Sequence, residues 1–195
     1  VQRSQYLVAP KQHGNQAMAT ESGPRWPTGK TCAFVLTVAF EAELAILAEA
    51  PDAADRAKSL SVGQYCGTRG VDRLLEELGR TQTRASWFIP ASNLLRYPRQ
   101  VEAVAAGGHE TANMGWALEN LSAMTLDEQI ESVVKSQDSF ESVLGVKPTG
   151  FRAGHGSYAR GMPSALVEAG FSWSSSWHGD DIPTFTQRKQ VLLWN

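Results

Sequence analysis

Most of the side chains that could do chemistry fall in four short stretches: Phe40 to Glu43, Asn113 to Leu118, Arg152 to Tyr158 and Trp177 to Asp181. Glu41 and Glu43 are carboxylates set among apolar residues. A carboxyl desolvated by Phe40, Met114, Trp116 and Leu118 has its pKa raised toward the range useful for proton transfer. His155 is flanked by Gly154 and Gly156, which let a ligand approach the backbone, and Arg152 adds a permanent cation. Together they suit acid–base chemistry, with Glu41 or Glu43 as base and His155 as acid or base. Trp116, Tyr158, Asp180 and Asp181 are the further candidate ligand contacts, with whichever glutamate is not the base.

Each residue also has a plainer reading. Glu41 and Glu43 alternate around Ala42, so on an extended backbone they point to opposite sides and at most one faces a pocket. His155 reads equally well as part of an ordinary loop, and Trp116 as a stacking platform for a sugar or as a cap on the core. Asp180 and Asp181 either bind a ligand or form the turn before Pro183. His109, after Gly107-Gly108 at a strand start, reads as structural, and Met114 and Leu118 as pocket filling.

The elements that must position these residues alternate in type. Ala33 to Val38 reads as a strand covered on both faces. Val71, Leu74, Leu75 and Leu78 recur at helical spacing up to Gly79. Ala85 to Ile89 is a strand ended by Pro90, Pro98 opens a helix closed by Gly107-Gly108, and His109 to Ala112 is the next strand. The longest helix runs from Leu126 to Leu144, with Thr125 as N-cap and Asp127 and Glu128 in its first turn. A short strand ends at Phe151, a helix spans Pro163 to Ala169, and Phe171 to Ser174 is a further strand. Such alternation implies an α/β fold of parallel strands with helical crossovers, either an open doubly wound sheet or a barrel. In both, sites gather at the carboxyl ends of strands, where the four stretches fall.

Composition bounds the reading. A chain of 195 residues, 42% hydrophobic and 19% charged, builds one core, so residues 31–195 are expected as a single domain behind a polar arm over 1–30. A net charge of −2 and a pI near 6.1 argue against nucleic acid or an anionic membrane as partner and for small or neutral ligands. No apolar run approaches the roughly 18–20 residues of a membrane span, and the opening Val1-Gln2-Arg3-Ser4-Gln5 does not read as a signal peptide. A first residue other than Met leaves a processed start open. Cys32 and Cys66 lie far apart without metal spacing and are expected as two buried free thiols, which favours a reducing, cytoplasmic setting.

Val35 to Glu43, Gly108-His109-Glu110 through Gly115-Trp116, Gly150-Phe151-Arg152-Ala153, and Ser174 to Ser176 followed by Gly179-Asp180-Asp181-Ile182-Pro183 occur in a telling order. With Gly63-Gln64-Tyr65, Trp87-Phe88-Ile89-Pro90, Tyr97-Pro98 and Leu121-Ser122 between them, they resemble the NodB-homology polysaccharide deacetylase family. The likeness runs from Trp26 to Pro183 and is strongest to the branch holding peptidoglycan-deacetylase-like and cyclic-imide-hydrolase-like proteins. It implies a distorted (β/α) barrel, usually of fewer than eight strands, and metal-assisted hydrolysis of a non-peptide C–N bond in an amide or carbohydrate ligand.

The resemblance also implies a site, and this chain departs from it. The positions of the family's catalytic aspartate and metal-binding aspartate hold Ala39 and Glu41, and those of its two metal-binding histidines hold Met114 and Leu118. That alignment selects Glu41 over Glu43. Arg152 matches the arginine that orients the family's base, but Gly154 stands where a proline is usual. No histidine follows His178, so the family's late histidine acid has no counterpart before Asn195. A thioether is a poor ligand for zinc and a leucine is none, so no zinc site and no cofactor are expected. Two function classes follow: metal-independent chemistry through Glu41, Arg152 and His155, or a non-catalytic protein that binds a carbohydrate or a partner. Residual N-deacetylase or cyclic amide hydrolase activity is a third reading. The barrel is expected to be incomplete at its C-terminal end, leaving an edge for an oligomer or partner chain to complete.

Overall fold

The computed structural model describes residues 28–30, 32–155 and 157–177, and the backbone of 184–185 and 192–193. Asp180, Asp181, His178 and the arm over 1–27 lie outside the described residues. The chain divides into two units, Val1–Ala33 and Phe34–Asn195, and every named helix and strand belongs to the second.

The strands are β1 (Thr37–Ala39), β2 (Ser86–Ile89), β3 (Glu110–Asn113), β4 (Gly150–Phe151), β5 (Trp173–Ser174), β6 (Thr184–Phe185) and β7 (Leu192–Leu193). They form one sheet in the order β1-β2-β3-β4-β5-β7-β6, parallel except for the β6–β7 pair. The first five strands sit in chain order with no reversal, so each crossover advances the same way. That is the order of a barrel, and a doubly wound sheet would reverse at a switch point. Among the described residues no pairing joins β1 to β6, and the sheet stays open there.

The helices are α1 (Leu44–Glu49), α2 (Ala57–Tyr65), α3 (Val71–Arg80), α4 (Ser92–Arg96), α5 (Pro98–Ala106), α6 (Leu126–Leu144) and α7 (Met162–Glu168). Of these, α6 has the expected limits. Thr125 forms a full capping box with Glu128, and Gly145 closes the helix at φ 71°. Gly79 does not stop α3, which ends one residue later at Arg80. The stretch 44–70, which carries little apolar period, folds into α1, a 3₁₀ turn (Pro51–Asp55), α2 and a π turn (Cys66–Gly70).

All four residues of β2 are buried, as a central parallel strand requires. Trp87 and Ile89 pack on one face with Val71, Leu78, Leu94, Val101, Val104 and Phe140; Phe88 packs on the other with Leu44, Ala112, Met114 and Leu118. A third cluster joins Val133, Phe151, Met162, Leu166 and Phe171. The first strand departs from expectation. It begins at Thr37, and Phe34 and Val35 ahead of it are exposed, because β1 is a sheet edge and nothing pairs with its outer side among the described residues. Cys32 and Cys66 are free but exposed, not buried; Cys66 starts the π turn on the outer surface.

Candidate site at the strand ends

The ladder between β1 and β2 extends to Phe40, whose N–H donates to the Phe88 carbonyl at 2.8 Å. The chain then turns. Ala42 adopts φ 51°, and the Leu44 N–H donates to the Glu41 carbonyl at 3.0 Å. Glu41 and Glu43 therefore do not alternate along a strand; a turn separates them and gives them different surroundings.

Glu43 is buried and fully engaged. Arg96 pairs with one carboxylate oxygen at 2.8 Å, and the Tyr97 hydroxyl donates to the other. The backbone of Gly63 lies against Glu43, where a Cβ has no room. This acid ties α2 and α4 to the end of β1, a use different from the ligand contact expected for it. Burial and the adjacent carboxylate raise the Tyr97 pKa well above that of a free phenol, so the hydroxyl stays protonated and donating.

The Glu41 carboxylate is half-buried, and no hydrogen bond or ion pair ties it among the described residues. Partial burial raises its pKa, while the charges of Arg152 and His155 pull it back. Arg152 is held from several sides. Its Nε donates to Ser175 Oγ at 2.6 Å, its two terminal nitrogens lie 3.4 Å from Thr37 Oγ1, and its guanidinium stacks 3.8 Å from the Phe88 ring centroid. Ser176 accepts from the Ala153 N–H at 2.9 Å, and its hydroxyl lies 2.9 Å from that of Ser174. Thr37 and Ser175 went unnoticed in the sequence as partners of Arg152. The run Ser174-Ser175-Ser176 was the signal for one of them, and nothing local points to Thr37.

His155 is exposed, and its carbonyl accepts from the Leu121 N–H at 3.1 Å, which pins its loop to the segment after Leu118. Tyr158 packs edge-on against Trp177 with ring centroids 6.0 Å apart. Its buried hydroxyl has no partner of hydrogen-bonding geometry, and burial pushes its pKa up to about 12 against the opposing pull of Trp177 and Ser174 nearby. Trp116 is half-buried on the core, with the Lys135 ammonium 3.6 Å from its ring centroid. His109 accepts from the Ala85 N–H and packs near Trp87, a structural role.

Met114 and Leu118 are 4% and 6% exposed and close into the apolar cluster around Phe88. Both lie against Gly154, and Leu118 fills the space that a Cβ there would need. The glycine and the leucine are matched: a proline at 154 would collide with Leu118. Leu118 also holds φ 62°, a left-handed conformation that histidine and asparagine adopt far more readily than leucine. Glu119 maintains this loop by accepting from the Ala117 N–H and from Ser132 Oγ, each at 3.0 Å. Among the described residues no group of three or more His, Cys, Asp and Glu could hold a metal ion.

Residues 62–173 match the polysaccharide deacetylase family model. The chain belongs to the polysaccharide deacetylase family. It is 27% identical over 134 residues to a peptidoglycan deacetylase of Helicobacter pylori, covering 68% of this chain and 46% of that protein. A peptidoglycan-deacetylase-like protein of Gibberella zeae is 30% identical over 127 residues, covering 64% and 38%. A crystal structure from Mycobacterium smegmatis, assigned to the polysaccharide deacetylases, superposes with a TM-score of 0.81 at 30% identity, over 87% of this chain and 60% of that one. The chain thus spans less than half the length of the curated relatives it matches. The likeness supports the barrel-type architecture.

Proposed function

We propose that this polysaccharide-deacetylase-fold chain has exchanged the family's metal centre for an apolar seal and binds an N-acylated carbohydrate at its strand ends without hydrolysing it. The body that does so is residues 31–195, with 1–30 as an arm. The observation that carries the reading is the burial of Met114 and Leu118 together against Gly154. At the positions the family resemblance assigns to two imidazoles, these side chains form part of the core, and Glu41 is the one remaining donor. In the family a bound divalent ion polarises the amide carbonyl and activates water; here the residues present do not fit one.

The retained groups suit binding. Arg152, fixed by Ser175 and Thr37, offers a preorganised cation for a carbonyl or hydroxyl oxygen. His155 is exposed at the rim, and Tyr158 and Trp177 supply aromatic surface of the sort on which sugar rings pack. Asp180 and Asp181 are further contacts assigned from their place in the motif. The carbohydrate class follows from the family and from the peptidoglycan deacetylases among the relatives.

A second reading rests on Glu41. A carboxyl with a raised pKa between a guanidinium and an imidazole is suited to metal-free proton transfer on an amide, with Arg152 as electrophile and His155 as acid or base. Calorimetric titration with chitooligosaccharides, run beside an acetate-release assay with zinc and with chelator, separates the readings. Binding that is insensitive to chelator, weakened in His155→Ala, and unaccompanied by acetate release is expected. Zinc-dependent acetate release would overturn both readings. Chelator-resistant release abolished in Glu41→Gln would favour the second.

A further inference from the structure

A cleft of about 300 Å³ lies between the 116–124 segment and α6, and its lining includes Trp116 but not Glu41, Arg152 or His155. Trp116 and Glu119 contribute to one wall. Glu128, Glu131, Ser132 and Lys135, spaced along one stripe of α6, make the other. Its size is at the small end of ligand pockets, enough for a single-ring molecule.

The occupancy of its charges is uneven. Glu119 is used by Ala117 and Ser132, and Glu128 by the Thr125 cap. The Glu131 carboxylate makes no hydrogen bond or ion pair among the described residues, and neither does the Lys135 ammonium, which sits 3.6 Å above the Trp116 ring centroid. Three carboxylates against one ammonium leave the cleft two negative charges in excess. An aromatic face in an acidic cleft attracts a cation. Here a flexible side chain of the protein itself supplies one, on a four-carbon stem that can swing away.

We propose that this cleft binds a small ammonium-bearing ligand of amino-sugar size, whose charge replaces that of Lys135 over Trp116 and pairs with Glu131. Lys135 then acts as an internal competitor for the Trp116 face. The proposal does not depend on Glu41 or on the reading of the strand-end site.

The test is an NMR titration that follows the Trp116 indole N–H, assigned with Trp116→Phe. The probes are glucosamine, Nα-acetyl-lysine methylamide as a peptide-borne ammonium, and N-acetylglucosamine as a neutral analogue. Both cations, or glucosamine alone, should shift the resonance saturably; N-acetylglucosamine should not at the same concentrations. A response to the lysine derivative without glucosamine would overturn the amino-sugar assignment. Lys135→Met should tighten glucosamine about two- to fivefold, the worth of one exposed cation–π contact, and Glu131→Gln should weaken it. Both variants are on the exposed face of α6 and do not touch the core. Glu41→Gln should leave the titration unchanged; its loss there would place the ligand at the strand ends and overturn the assignment. Equal response to the neutral sugar, or Lys135→Met weakening glucosamine, would also overturn it.

Discussion

Restoring the family's donors should cost stability that zinc gives back. In Ala39→Asp with Met114→His and Leu118→His, two side chains that are 4% and 6% exposed lose their apolar burial. Each such side chain contributes about 1.5–3 kcal/mol, so the two together lose roughly 3–6 kcal/mol, with sub-additivity expected because they touch a common neighbour. Part of this is returned at position 118, where φ 62° suits histidine better than leucine; left-handed backbone costs about 1–2 kcal/mol. A net loss of roughly 1–5 kcal/mol lowers Tm by about 2–20 °C in a domain of this size. Zinc that binds only the folded variant adds about 2.7 kcal/mol at a hundredfold excess over its Kd, a recovery of about 5–11 °C. Differential scanning fluorimetry on parent and variant, with zinc and with chelator, reads these shifts directly. A folded variant that zinc does not stabilise, or a parent that zinc stabilises equally, would refute the claim that Glu41, Met114 and Leu118 line a vacated metal position.

Three further outcomes follow from the same contacts. Tyr97→Phe leaves the buried Glu43 carboxylate short of one donor and should lower stability by about 1–3 kcal/mol in urea melts; an unchanged midpoint would show that the bond contributes nothing. His109 has its pKa lowered from 6.5, first by burial and then by Arg84, so its neutral form stabilises the fold above pH 6.5. That contribution is lost as pH falls through the lowered native value. The drop in Tm between pH 7.5 and pH 5 should therefore be smaller in His109→Gln than in the parent, and equal drops would contradict it. Glu41 has its pKa raised above 4.5, so its ionised form burdens the fold once pH rises through the native value. Glu41→Gln should thus raise Tm at pH 7 and leave it nearly unchanged at pH 4; a loss of stability at pH 7 would mean the carboxylate is tied by contacts and not desolvated.

The sequence by itself determined the rhythm of elements and the identity of the family. Local signals suffice for both. Thr125 and Glu128 form a capping box whatever surrounds them, Gly145 ends α6 because it tolerates positive φ, and the residues of β2 are apolar enough to demand cover on both faces. It also determined that Ala39, Met114 and Leu118 offer neither a carboxylate nor an imidazole, since residue type alone decides which donors a side chain carries. Tertiary structure decided everything that needs two distant segments at once. It made β1 an edge, so that Phe34 and Val35 are exposed where a buried strand was expected. It put a turn at Ala42, and with it sent Glu43 to Arg96 and Tyr97 and left Glu41 without such partners among the described residues. It paired Arg152 with Thr37, 115 residues away, and fitted Leu118 against Gly154. Such partners are set by the register and curvature of the sheet, which no short window of sequence encodes. The burial of Met114 and Leu118 is of the same kind: residue types show that neither carries a nitrogen donor, and only packing shows that both close against Gly154.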